Sequence, residues 1–179
     1  LLTPILGIIE AIHAFKNRQW RHATWVLAML AFTAVSWSVF LQGYVFTPAV
    51  DGFRFPYEHP LEYVYFVGLM LANFHGLPGY HLYTIAGGLL LVAVLVLLAA
   101  YHGWKILRQG INDNRSSVVI FCLSGYALLY CFNTAIGRIC LGLAIGPSAS
   151  RYVTLMIPAG LGIYLGLTDA FPRKAWAVS

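Results

Sequence analysis

Charged residues are scarce in this sequence: Asp, Glu, Lys and Arg together make up 9% of its 179 residues. Ordinary soluble domains carry about 25%. So little charge excludes a water-facing globule, and the solvent that fits the composition is lipid. Acidic residues are fewer still, six against eleven Lys and Arg. In a soluble protein a net charge of +5 would point to nucleic acid. Here the cations fall in short clusters between apolar runs, the pattern of cytoplasmic membrane loops, so no nucleic-acid partner is expected. Cysteine is limited to Cys122, Cys131 and Cys140, an odd number without a CxxC pair. Steps of nine put neighbouring thiols on opposite faces of a continuous helix. They read as buried structural thiols, and a disulfide framework or zinc site does not fit. No P-loop, nucleophile elbow or zinc-protease motif is present. A basic leader is missing too: the chain opens Leu-Leu-Thr-Pro, unlike a signal peptide. It reads as the middle of a membrane segment, and the expectation is a part of a longer protein forming a single transmembrane helical domain over 1–179.

What the chain has in abundance is apolar surface: 60% hydrophobic residues, 15% aromatics and a mean hydropathy of +0.75. Its runs are long enough for membrane helices. Ala23–Tyr44 is free of charge over 22 residues, about 33 Å as a helix, against a hydrocarbon core of ~30 Å. Leu1–Phe15, His81–Trp104, Val118–Gly137 and Tyr152–Leu167 are further apolar segments. Leu61–Phe74 is apolar but has only 14 residues, roughly 21 Å, and ends in the turn-rich Gly76, Pro78, Gly79. The fold expected is all-α: a polytopic integral membrane protein with about five transmembrane helices and one short re-entrant or interfacial helix.

Charge selects the topology. Basic clusters lie at 16–21, 105–115 and 173–174. If all three are cytoplasmic, one of the two apolar runs between the first outer loop and residue 105 does not cross, and the short Leu61–Phe74 is that run. The rival, full crossings throughout, puts Lys105, Arg108 and Arg115 outside. The first arrangement gathers Asp51, Arg54, Tyr57, Glu58, His59, Asn73, His75, His81, Arg138, Ser150 and Arg151 on the outer face.

Two of those residues stand out. Arg138 and Arg151 lie at the seam between the apolar runs Val118–Ala135 and Val153–Leu167. A guanidinium near lipid must reach water, a carboxylate or an anionic ligand, and its fork suits a phosphate. Ser150 can cap the last apolar helix, whose first turn favours an anion. The candidate anion site is therefore Arg138, Arg151, Ser150 and Tyr152, with Arg54, Glu58 and His59 from the proline-rich loop. The plainer alternative pairs the arginines with Asp51 or Glu58 and pins the outer loops together. Glu58 beside His59 is raw material for acid–base work, but neighbours on an extended chain point apart, and no catalytic residue is assigned. His81 and His102 are about 31 Å apart along one helix and cannot share an iron, so neither haem nor metal nor another cofactor is expected. Gly87, Gly88, Gly125, Gly137, Gly142, Gly160, Gly162 and Gly166 read as small-residue contacts between helices.

Gly137-Arg138-x-x-x-Gly142 followed by Ser150-Arg151-Tyr152 resembles the C-terminal end of a family of bacterial multi-pass membrane proteins of unassigned function. The resemblance extends to Gly43-Tyr44, to the outer loop ending His59-Pro60 and to Tyr65–Phe74, covering about the last half of such a protein. In architecture that family is similar to the GT-C-like glycosyltransferases that use polyprenyl-phosphate sugars. It implies a bacterial inner-membrane protein, multi-pass, that handles a lipid-linked anionic polyprenyl-phosphate glycan at the outer face. The partners implied are membrane lipids, a polyprenyl-phosphate lipid and other membrane subunits. The acidic catalytic residue of such enzymes sits in an early outer loop outside this chain, so no activity is carried over. The alternative is a non-catalytic accessory subunit of a larger membrane complex.

Overall fold

The computed structural model describes residues 2–16, 18–42, 56–111, 114–148 and 154–170. Every regular element among them is helical: α1 (Leu2–Lys16), α2 (Trp20–Leu41), α3 (Leu61–Phe74), α4 (Leu82–Gln109), α5 (Arg115–Arg138) and α6 (Ile157–Ala170). Short 3-10 turns at Ile139–Leu141, Gly146–Ser148 and Thr154–Met156 join the last two. The all-α expectation holds. Three of the helices, α2, α4 and α5, are long and apolar enough to cross a membrane. The protein is thus a helical membrane protein. At 15, 14 and 14 residues, α1, α3 and α6 fall short of the ~30 Å core on length alone.

Helices α4, α5 and α6 form an antiparallel bundle. Gly103 of α4 faces Phe121 of α5, and Gly162 of α6 faces Ser124 of α5. Gly166 packs against Leu98 of α4, so the Gly162/Gly166 pair seats α6 in the groove between its two neighbours.

Helix α3 fills one half of that bundle. Its Phe66, Val67, Met70 and Leu71 share a core with Leu95 of α4, with Ala127, Cys131 and Ala135 of α5, and with Ala159 of α6. Residues 66–72 are all buried, so the helix has no solvent-facing side over two turns. The crossing with α4 is closest at Gly68 and Gly88: a Cβ on Gly88 would collide with the Gly68 carbonyl. Glycine is required here by backbone approach, not by conformation. Both ends of α3 face the same end of the bundle. Phe66 lies against Gly146, beyond the C-terminus of α5, and Phe74 lies against Gly160, near the start of α6. Such enclosure fits a re-entrant helix, whereas an interfacial helix keeps one polar face towards headgroups.

Helices α1 and α2 pair with each other, with Gly7 against Leu30 and a Glu10–His22 ion pair of 2.7 Å. Beyond that pairing α2 has little cover: 6% of its apolar window is buried, and Trp25 is 74% exposed.

Candidate functional site

The seam after α5 is built by a chain reversal. Ile139–Leu141 continues the helix for one tighter turn, and Gly142 then takes φ +79°, a conformation natural to glycine. The Gly142 N–H donates to the Ile139 carbonyl at 2.9 Å, and Gly146 N–H donates to Gly142 at 3.0 Å. The returning strand of chain lies across the end of α5: a Cβ on Gly146 would sit 2.6 Å from the Phe66 ring and 3.2 Å from the Arg138 carbonyl. Residue 146 is glycine because the loop is clamped between α3 and that carbonyl.

Arg138 is the last residue of α5 and is half-buried. Among the described residues its guanidinium has no hydrogen bond or ion pair. Its charge does have one favourable neighbour, the negative end of the α5 dipole. On the other side of the seam, residues 56–60 lead into α3. The Tyr57 N–H donates to the Tyr63 hydroxyl at 3.1 Å, and Tyr57 packs edge-on against both Tyr63 and His59. Tyr63 in turn meets Phe132 of α5, with ring centroids 6.0 Å apart. That contact carries Glu58 and His59 to the end of the bundle that holds Arg138, since Phe132 and Arg138 are six residues, about 9 Å, apart along α5. Both side chains are exposed there, and Glu58 is already engaged.

Of the seven candidate anion-site residues, the structure therefore brings Arg138, Glu58 and His59 to one end. Arg54, Ser150, Arg151 and Tyr152 lie outside the described residues, as does Asp51. Asn73 and His75 at the end of α3, and His81 at the start of α4, belong to the same end, while Lys105, Arg108 and Arg115 mark the other. The Tyr57–Tyr63–Phe132 contact that positions the loop was not among the candidates. Its sequence signal is only an aromatic six residues after Tyr57, too common to single out.

Two cavities lie away from Arg138. One, about 430 Å³ and almost wholly apolar, is lined by Gly7, Glu10, Trp25, Met29, Ile111 and Val118. The other, about 330 Å³, lies between α5 and α6 at the basic end. The thiols are free, with Cys131 buried and Cys122 and Cys140 half-buried. Among the described residues no group of three metal-ligating side chains comes together.

Comparison with known protein families, with curated proteins and with solved structures finds no match.

Proposed function

We propose that this is a multi-pass protein of the bacterial inner membrane that holds the phosphate of a lipid-linked substrate, a polyprenyl-phosphate glycan, at its outer face. The observation that carries the reading is Arg138: a half-buried guanidinium at the end of a membrane helix, without an ion-pair partner among the described residues. A lipid phosphate arrives from the side, along the headgroup layer, so the site needs an open seam and not a closed cavity. Arg138 supplies the fork that such a group accepts. Arg54, Ser150, Arg151 and Tyr152 complete the site in this reading, with Glu58 and His59 facing the glycan. Polar residues at the α3, α4 and α5 termini then occupy the outer side, and the basic loops the cytoplasmic side.

A second reading, a non-catalytic subunit of a larger membrane complex, is favoured by α2, whose apolar surface the rest of the chain leaves bare.

The test is binding of a polyprenyl phosphate to the purified protein, measured beside the uncharged polyprenol of equal chain length. Arg138→Ala should weaken phosphate binding by about ten-fold, ~1.4 kcal/mol, and leave polyprenol binding unchanged. Arg138→Lys should recover part of the loss, because a point charge replaces a fork. Equal binding of the phosphate by wild type and a folded Arg138→Ala protein overturns the reading.

A further inference from the structure

The two halves of the α4–α5–α6 bundle have different interiors. Under α3 the core is apolar. Towards the basic end it is not: His102 of α4 is 1% exposed, Ser117 and Ser124 of α5 are fully buried, and His102 Nδ1, Ser117 Oγ and Ser124 Oγ all lack a protein hydrogen-bond partner. Hydroxyls in these helices usually satisfy themselves by donating to the carbonyl one turn back, as Thr33, Ser38 and Thr134 do at 2.8–2.9 Å. Ser124 does not. It faces α6, where a Cβ on Gly162 would come within 2.9 Å of its Oγ.

The three atoms lie in order along the bundle. Gly103 faces Phe121, which sets His102 about one turn from Ser117 on one side and one turn from Ser124 on the other. Level with Ser117, Lys105 Nζ and Asp169 Oδ2 meet at 4.0 Å, each side chain about a third exposed, so this end is open to water. Beside them lies the cavity of about 330 Å³ lined by Ser116, Val119, Ile120, Leu165, Thr168 and Asp169. It has room for several waters at ~30 Å³ each. Buried polar atoms in series, starting at a hydrated mouth, are the condition under which internal water is held.

We infer that the basic half of the bundle is a water-filled inlet, entered beside Lys105 and Asp169, that admits water and hydronium past Ser117 and His102 as far as Ser124. It ends where α3 begins. Ala127 and Cys131, the next buried residues along α5, belong to the apolar core around α3. The feature is therefore a half-channel and not a pore. A fourth unpartnered hydroxyl, Thr84, lies at the far end of α4 and is no part of the series.

Water itself is the probe that tests this. Ser117→Cys and Ser124→Cys are near-isosteric, and exchange of each thiol from S–H to S–D in heavy water is read by infrared difference against the parent protein. The natural Cys131, buried beneath α3, is the dry reference. Both new thiols should exchange at least ten-fold faster than Cys131. Adding His102→Leu should slow exchange at Ser124→Cys while leaving Ser117→Cys unchanged, since it removes the polar step between them. Exchange at Ser124→Cys as slow as at Cys131 overturns the inlet, and so does indifference of Ser124→Cys to His102→Leu. Should Ser124→Cys fail to fold, Leu165→Cys on the cavity wall takes its place as the inner probe, with the same ten-fold criterion. These outcomes do not depend on Arg138 or on any lipid substrate.

Discussion

At the scale of single residues, several glycines have different tasks. Gly88 and Gly162 allow helices to touch, whereas Gly137 and Gly142 have no atom within 4 Å of a would-be Cβ. For those two the packing role expected from the sequence does not apply, and Gly142 serves the turn through its positive φ. Gly87 and Gly88 are neighbours with unequal surroundings, which makes a clean comparison. A Cβ on Gly87 meets the Leu77 side chain at 3.2 Å, and a side chain can rotate away. On Gly88 it meets the backbone of Gly68, which cannot. Gly88→Ala should therefore lower the unfolding midpoint in detergent by the equivalent of ~1–3 kcal/mol, and Gly87→Ala by much less. Equal midpoints for the two variants would show that α3 and α4 can slide apart. A sequence pattern cannot separate these neighbours, because the residue that distinguishes them, Gly68, is twenty positions away and belongs to another helix. Arg138 was legible for the opposite reason: a lone guanidinium after a long apolar run is conspicuous wherever it packs. His102, Ser117 and Ser124 were not, since small polar residues on a helix carry no sign of whether a partner will reach them.

Among the elements, α3 was read with its observed limits, Leu61–Phe74. Pro60 precedes it, and the turn at His75 and Gly76 ends it, so chain chemistry and helix coincide. The expected bounds of α4 and α5 were too short at the basic end, where both helices run on through Lys105, Arg108 and Arg115. An apolar run ends where the hydrocarbon ends, but a helix continues while its cations reach outwards to water; Arg108, for example, lies over the Trp104 ring at 4.5 Å. The placement of both α3 ends at one end of the bundle gives a direct test of its path. His59→Cys and Leu77→Cys, on either side of α3, should react with an impermeant thiol reagent from the same face of sealed vesicles. Gln109→Cys should react only from the other face. Labelling of positions 59 and 77 from opposite faces would mean that α3 crosses.

For the whole molecule, cover is distributed unevenly. The second half of the chain is bound into one core, whereas α2 packs on α1 and leaves Trp25, Phe32 and Val39 at least 60% exposed. In a membrane that surface meets acyl chains or another protein. Reconstituted alone in bilayers containing brominated lipid, the protein should lose much of its Trp25 fluorescence, with Trp25→Phe identifying the quenched component. An unquenched Trp25 would show that a second copy already covers α2. None of this arrangement was readable in advance, because in lipid an apolar face that packs and one that does not have the same composition.

The enclosure of α3 also bears on the order in which the protein is made. Translation delivers α3 before any of the three helices that surround it. With 14 residues it is too short to hold itself across a bilayer, and one of its core neighbours, Ala159, emerges only some ninety residues later. During synthesis α3 must therefore wait, held at the membrane surface or by the insertion machinery. It takes its place only when α6 closes over it. The last helix to appear completes the lodging of one of the earliest, so a ribosome that stops before α6 leaves behind a chain whose centre is still outside.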